Sequence, residues 1–400
     1  MKKIGLLPRL IIAIILGIIL GSILPETGIR LFATFNGLFG QFLGFAIPLI
    51  IIGFVAPGIG DLGAGAGKIL AITAGIAYAS SVLAGTLAFF ANDTILPIFL
   101  EPGSLGAGFG KGELAKAFIN VKIPPIMDVM TALVLAFTLG IGIAVIKSTV
   151  IKGVMKEFQD IITKLITGIV IPLLPIYIMG TFANMTYAGQ VASILKVFSK
   201  VFVLVLILHF TVIVLQYLIA GTIAGVNPFK LIKTMIPAYL TAIGTQSSAA
   251  TIPVTLAQTK KNGVSEGVAD FVVPLCATIH LSGSTISIVS CSIAIMMLNG
   301  MNYSFGTFFG FILALGVTMV AAPGVPGGAV MAALGLLQGM LGFNEQLTSL
   351  MIALYLAQDS FGTACNITGD GAIAVLINKI SGHKLFEQQH ETTKDKKNVA

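Results

Sequence analysis

Apolar runs of about twenty residues recur from one end of the chain to the other, separated by short stretches rich in lysine, glycine or proline. A helix of that length crosses a hydrocarbon layer roughly 30 Å thick. The pattern predicts spans at 6–24, 32–57, 69–90, 127–146, 161–182 and 194–220. The 92–125 connection is glycine-rich, carries both charge signs and reads as a long loop. The first run follows Met1-Lys2-Lys3. Leu24-Pro25-Glu26 offers no small-x-small cleavage pattern, so this run is expected to be a retained helix rather than a signal peptide.

Beyond Lys233 the runs are interrupted at mid-length by polar residues. The stretch 234–259 carries Gly244, Thr245, Gln246, Ser247 and Ser248 at its centre, with Pro253 after them. The stretch 268–298 carries Thr278, His280, Ser282 and Ser284. The stretch 305–341 turns at Pro323-Gly324-Val325-Pro326-Gly327-Gly328, which cannot be continuous helix. The last run, 350–380, holds Asp359, Asn366, Thr368 and Asp370. Non-helical backbone at membrane depth survives only where protein buries it or where it lines a cavity. A carboxylate at the centre of a membrane helix costs about 2.5–3.5 kcal/mol on insertion scales, so such groups face a partner, an ion or water. A merely structural helix has little use for two of them.

Lysines orient the spans. Lys2 and Lys3 at the start, Lys147, Lys152 and Lys156, then Lys230 and Lys233, then Lys260 and Lys261, and finally Lys379 all fall on one side, taken as cytoplasmic. The first broken stretch then enters and leaves from the inside and the second from the outside. A broken hairpin followed by a polar-interrupted helix thus occurs twice in opposite orientation. Such paired breaks mark the midplane binding site of a transporter.

Composition agrees. The chain is 56% hydrophobic and 10% charged, with a mean hydropathy of +1.00, and it leaves no polar stretch long enough for a separate soluble domain. The +7 charge comes from loop lysines and does not indicate nucleic acid. Cys276, Cys291 and Cys365 lie in apolar segments without metal-ligand spacing. No nucleophile–base pair or metal motif of an enzyme is visible. A channel also builds filters from polar breaks, but hairpins opening from opposite sides suit alternating access better.

Four patterns in order resemble the dicarboxylate/amino-acid:cation symporter family, the glutamate-transporter fold. They are Gln246-Ser-Ser-Ala-Ala-Thr-Ile-Pro253, Pro274-Leu-Cys-Ala-Thr-Ile-His-Leu-Ser-Gly283, Gly324-Val-Pro-Gly-Gly328, and Asp359-x-x-x-Thr-x-x-Asn-x-Thr-Gly-Asp370. The resemblance implies an all-α membrane protein of eight transmembrane helices and two re-entrant hairpins, with inverted repeats and an elevator mechanism. It implies a scaffold at about 1–60 and 125–192, which trimerises, and a moving transport domain at about 68–91 and 194–380. Residues 381–400 would be a cytoplasmic tail, and the chain as a whole one multi-pass transporter unit of a bacterial inner membrane with both termini cytoplasmic.

Carried over position by position, the resemblance implies that Asp359 receives a substrate ammonium group and that Thr363 and Asn366 hold the substrate nearby. Ser247 and Ser248 would meet its carboxylate, and Gly324, Val325 and Gly327 would belong to the gate. For the coupled ions it implies Asp370 and Asn366, with Cys276, Thr278, His280 and Ser282 around the interrupted seventh span. Tyr78, Ser80 and Ser81 fall near the family's Tyr/Thr/Ser sodium cluster, with the register open by one residue.

The departures matter as much. Carriers of acidic substrates in this family place an arginine three residues after the substrate aspartate, where this chain has Gly362. Some supply it from the first hairpin, where this chain has Gln246. The only two arginines are Arg9 and Arg30, in the first half. A buried second carboxylate needs a cationic partner, preferably the guanidinium fork. The expectation is therefore a neutral amino acid, serine-, threonine- or alanine-like, with a dicarboxylate or acidic amino acid as the alternative. The family's Asn-Met-Asp-Gly reads His280-Leu281-Ser282-Gly283, which removes an acidic sodium ligand. Sodium coupling is expected with fewer ions per cycle than in acidic amino-acid carriers, or with a proton in place of one. His209 has no motif around it and reads as an interhelical hydrogen-bonding residue.

Overall fold

The computed structural model describes residues 6–63, 68–103, 114–189, 191–320, 322 and 326–381, and every regular element among them is helical. Helices α1 (Leu6–Ile23) and α2 (Glu26–Gly63) part at Leu24-Pro25, and α3 (Lys68–Ile95) ends in a tight turn at Leu96–Ile98 that includes Pro97. Helix α4 (Val129–Ile146) starts where the Asp128 carboxylate accepts the Thr131 N–H at 3.0 Å. Helix α5 (Thr149–Leu165), capped by Ser148, continues through a π-turn at Ile166–Val170 into α6 (Ile171–Tyr187). The widened turn sits directly before Pro172 and Pro175, which lack the donors a regular ladder needs. Helix α7 spans Val191–Ala224.

The second half is built from broken pairs. Helices α8 (Pro228–Thr245) and α9 (Ser248–Lys261) pack on each other and meet at Gln246-Ser247. Helices α10 (Glu266–Ile279) and α11 (Ser282–Leu298) part at His280-Leu281, where both residues leave the helical region. Helices α12 (Phe305–Val320) and α13 (Gly328–Leu341) form the next pair. Helix α14 (Glu345–Ser381) is unbroken. Six segments among the described residues are long and apolar enough to cross a membrane: Glu26–Pro57, Ile69–Ile98, Thr149–Tyr187, Ile194–Ala224, Glu266–Leu298 and Glu345–Ser381.

Two expected spans start earlier than their apolar runs. The second begins at Glu26, where an acid suits a helix N-terminus. The fifth begins at Thr149, with a first stretch that is amphipathic: Val150 and Val154 face outward and Met155 and Ile162 inward. Part of the predicted 92–125 loop is tied down. Arg30 Nε donates to the Lys116 carbonyl at 3.1 Å, Ala115 N to Asn184 Oδ1 at 2.8 Å, and Phe118 N to Thr34 Oγ1 at 2.8 Å.

Helix α14 is the centre of the second half, packing against α7, α8, α9, α10 and α11. Every residue of α11 is buried. On the other side α1 packs along α6, and α2 along α4, α5 and α6. The close approach of α11 to α14 depends on Gly283: a Cβ there would lie 2.5 Å from the Gly362 carbonyl oxygen and 2.6 Å from Cys365 Cβ. At the α9–α10 join the exposed Lys260 ammonium binds Asp270 at 2.9 Å and Glu266 at 3.0 Å. Those two bonds, to Asp270 and then Glu266, hold it above the usual lysine value.

Candidate functional site

Three breaks and the middle of α14 converge. A small cavity of about 20 Å³ is lined by Gln246 and Ser248 from the α8–α9 turn, Thr278, Leu281 and Ser284 from the α10–α11 break, Ala322 and Ala329 from the α12–α13 pair, and Tyr355, Asp359 and Thr363 from α14. Spacing explains the last three. Positions 355, 359 and 363 are four residues apart and fall on one helix face.

Asp359 is 6% exposed and its Oδ2 accepts the Gly327 N–H at 2.7 Å. It therefore caps α13 as well as lining the cavity. Gly327 has φ +77, a left-handed conformation in which a Cβ would also lie 2.7 Å from Leu356 Cδ2. Gly324 and Val325, the other expected gate residues, lie outside the described residues. Ser247 caps α9 through its Oγ, which accepts from Ala250 N at 3.3 Å, and Ser248 is buried at the cavity wall. The α9 N-terminus, the positive end of its dipole, thus opens toward the cavity through Ser248. Gln246 holds the turn with φ +53, unusual for a residue with a side chain. Asn366 stands behind the wall. Its Oδ1 accepts from Gly283 N at 2.7 Å and its Nδ2 donates to Ser284 Oγ at 3.1 Å, so its side chain holds the start of α11. Gly362 backs on the same segment: a Cβ there would meet Gly283 and Ser284 at ordinary contact distance, 3.6 Å.

A second polar cluster lies deeper. His280 and Asp370 are both fully buried, with Nδ1 and Oδ1 2.9 Å apart. His280 Nε2 lies 3.0 Å from Ser80 Oγ and 3.3 Å from Gln216 Nε2. Gln216 Nε2 also donates to Ser80 Oγ at 2.9 Å and to Ser282 Oγ at 3.3 Å. Asp370 Oδ2 and Gln216 Oε1 are buried and have no hydrogen-bond partner among the described residues, and the same is true of Ser81 Oγ.

The expected ion residues separate on this geometry. Asp370, His280 and Ser282 come together, and of the α3 residues Ser80 joins them. Tyr78 does not: its hydroxyl donates to the Leu313 carbonyl of α12 at 3.2 Å. Cys276 is packed in the core, and its carbonyl is taken by His280 N at 2.8 Å. Thr278 faces the cavity, with its hydroxyl donated to the Leu275 carbonyl. His209 bonds across helices, with Nε2 3.0 Å from the Gly283 carbonyl and 3.2 Å from Ser287 Oγ. Gln216 and Tyr355 were not singled out from the sequence. The signal for Gln216 was a lone amide within the apolar 194–220 run, and for Tyr355 its place one turn before Asp359.

No group of three or more His, Cys, Asp or Glu side chains that could hold a metal occurs among the described residues. The deep cluster instead offers one carboxylate and neutral oxygens, the donor set of a hard monovalent cation.

Helix breaks that meet at a small cavity beside a buried carboxylate cluster, among helices long and apolar enough to cross a membrane, define the class as a membrane transporter. The sequence profile of the sodium:dicarboxylate symporter family matches residues 6–380, and the chain belongs to that family. It is similar to the serine/threonine transporter SstT of Acinetobacter baylyi, 24% identical over 95% of this chain and 98% of that protein. The serine/threonine transporter SstT of Acinetobacter baumannii is 26% identical over 92% of this chain and 95% of that protein. Excitatory amino acid transporter 1 of Homo sapiens is 27% identical over 59% of this chain and 45% of that protein. The family and these relatives are transporters, so the chain is a transporter and not an enzyme.

Proposed function

We propose that this protein is a secondary active symporter that imports a neutral amino acid, serine-, threonine- or alanine-like, together with sodium. One observation carries the reading. Among the described residues the cavity wall holds a single carboxylate, Asp359, and otherwise neutral residues, with no lysine, arginine or histidine. An ammonium has a partner there, whereas a second, side-chain carboxylate would be buried without a counter-charge, at a cost of several kcal/mol. In this reading Asp359 receives the ammonium group, sharing its carboxylate with Gly327 N–H. The α9 N-terminus with Ser247 and Ser248 receives the α-carboxylate. Thr363 contacts the substrate directly and Asn366 acts by holding Ser284. Gln246 and Gly362 leave the side-chain end uncharged, and the tip with Gly324, Val325 and Gly327 closes over it. The names of the Acinetobacter relatives point the same way.

Sodium is the co-substrate, with Asp370 as its charged ligand. His280 stands beside Asp370, Ser282 is joined to them through Gln216, and the buried Oδ2 without a partner among the described residues supports a cation there. Backbone at Thr278 and Asn366 and the side chain of Ser81 are the further ligands that family resemblance proposes, whereas Tyr78 and the Cys276 carbonyl, also expected from it, are engaged by Leu313 and His280 N. In the proposed topology α8–α9 and α12–α13 are re-entrant hairpins, α5–α6 and α10–α11 are each one span, and eight spans result. Residues 1–60 and 125–192 form a trimeric scaffold. Residues 68–91 and 194–380 form the unit that moves, in an elevator cycle across a bacterial inner membrane with both termini cytoplasmic.

The test is uptake of labelled serine into proteoliposomes, with an inward sodium gradient and with aspartate, alanine, threonine and cysteine as competitors. Sodium-driven uptake that alanine and threonine inhibit and aspartate does not is the expected outcome. Inhibition by aspartate would replace the neutral-substrate reading with the acidic one. Uptake that needs a proton gradient and ignores sodium would overturn the sodium assignment.

A further inference from the structure

The deep cluster contains a residue that the family motifs do not account for. Gln216 stands on α7, an element from which no ion or substrate residue was expected, yet its amide reaches three others: Ser80 on α3, and His280 and Ser282 at the α10–α11 break. The NH₂ end makes all of those contacts. The other end, Oε1, is buried and accepts nothing among the described residues. Asp370 Oδ2, on α14, is in the same condition. Two buried acceptor oxygens, one formally charged, are both left without a donor. Buried acceptors in folded proteins are almost always satisfied, so a pair of orphans in one cluster points to a bound partner, a water or a cation.

The surrounding backbone favours a cation. Helix α10 ends at Ile279, and its C-terminal carbonyls, the negative end of its dipole, point into the break beside His280. Gly369 brings the α14 backbone against the amide. A Cβ at 369 would fall 2.6 Å from Gln216 Oε1 and 2.6 Å from His280 Cε1. Any side chain there would fill the space at the orphan oxygen, one residue before Asp370. Position 282, whose hydroxyl Gln216 touches, is a serine and brings no charge. The oxygens on hand are therefore one carboxylate, one amide and hydroxyls, which suits a monovalent hard cation rather than a divalent one.

We infer that Gln216 is a ligand of the coupled cation, its amide oxygen completing with Asp370 a site that spans α7, the α10–α11 break and α14. The inference rests on the sodium-coupled reading given above. It extends the site to an element that the motifs leave out, and it supplies an oxygen where position 282 has no carboxylate.

The experiment uses the purified full-length protein in detergent. It follows thermal stabilisation by NaCl against choline chloride and equilibrium binding of radioactive sodium, so it does not depend on transport. Gln216→Ala is expected to raise the sodium half-saturation by about tenfold, the loss of one ligand, while its melting temperature in choline falls only by what the lost contacts to Ser80, His280 and Ser282 contribute. Gln216→Glu keeps an oxygen in place and adds the charge absent at Ser282, and it is expected to lower the half-saturation. Asp370→Asn is the reference that abolishes the response. A half-saturation within twofold of the parental value in Gln216→Ala, with Asp370→Asn inactive, would mean that the amide oxygen holds only a water, and the inference fails while sodium coupling stands. If the alanine variant does not fold, an unchanged half-saturation in Gln216→Glu overturns the inference equally. A parental protein with no sodium response would instead overturn the sodium assignment itself.

Discussion

Gln246 is a side chain at the cavity wall that a single substitution could recharge. It sits at the turn between α8 and α9, is partly exposed, and shares the cavity with Asp359 and Thr363. Its backbone is already in the left-handed region, so exchanging one long side chain for another adds no new strain there. Gln246→Arg would put a planar cation facing the side-chain end of a bound amino acid, where it can take a carboxylate by two parallel hydrogen bonds. Aspartate, which the proposed neutral-substrate reading has the parental protein ignore, is expected to become a competitor of serine uptake. Serine itself is expected to lose affinity, since the guanidinium would be desolvated against a hydroxyl. The measurement is the inhibition constant for aspartate in both proteins. A variant that still transports serine and still ignores aspartate would show that Gln246 does not face the substrate side chain.

Helices α11 and α14 meet at two glycines that differ in kind, and the difference is open to test. Gly283 has no room: its Cβ would collide with the Gly362 carbonyl oxygen and with Cys365. Gly362 has ordinary space at 3.6 Å. Gly283→Ala must push the helices apart, at a cost of about 1–3 kcal/mol for an overpacked core. It also shifts the segment that His209 and Asn366 hold from two sides. Gly362→Ala should be neutral or slightly stabilising, because alanine is the better helix former by roughly 1 kcal/mol. Melting temperatures in detergent decide this, and equal losses for both would refute the helix contact. These elements also mark how far the sequence could be read. The breaks were legible because serine, glycine and proline at mid-length have few other uses in lipid. The α8–α9 turn falls at Gln246-Ser247, the α10–α11 break at His280-Leu281, and α13 begins at Gly328, as the polar interruptions indicated. The register of α3 was not legible. Alanine, glycine and serine lie all round that helix, and only packing shows that Ser80 meets His280 while Tyr78 turns to α12. Asn366 was named as a substrate contact, but its side chain is spent on the start of α11, a distinction of a few ångströms that a motif does not carry. Gln216 was missed because one amide in an apolar run has no pattern around it.

At the scale of the molecule, the contact between α14 and α6 decides whether the proposed moving unit exists. Thr181 on α6 and Ser349 on α14 touch through their hydroxyls, and Gln41 on α2 bonds Glu345 at the start of α14. Both pairs join residues 1–60 or 125–192 to residues 194–380, so an elevator cycle has to break them each time the unit travels. Small polar contacts suit that demand. A hydroxyl pair contributes about 1 kcal/mol net and can exchange its partner for water, whereas an interlocked apolar seam would resist sliding. A covalent link should therefore stop the cycle at one stage. The chain is convenient for this, because its three cysteines, Cys276, Cys291 and Cys365, are all buried. Thr181→Cys combined with Ser349→Cys is expected to form a disulfide on mild oxidation, to abolish sodium-driven serine exchange, and to recover it on reduction. Either single substitution should transport with or without oxidant. Sodium and serine binding, read by thermal stabilisation, should survive in the linked protein, because the link lies on the scaffold face of α14 and away from Asp359 and Asp370. Full cross-linking with undiminished transport would mean that α14 and α6 travel together, and the division between a fixed and a moving unit would have to be drawn elsewhere.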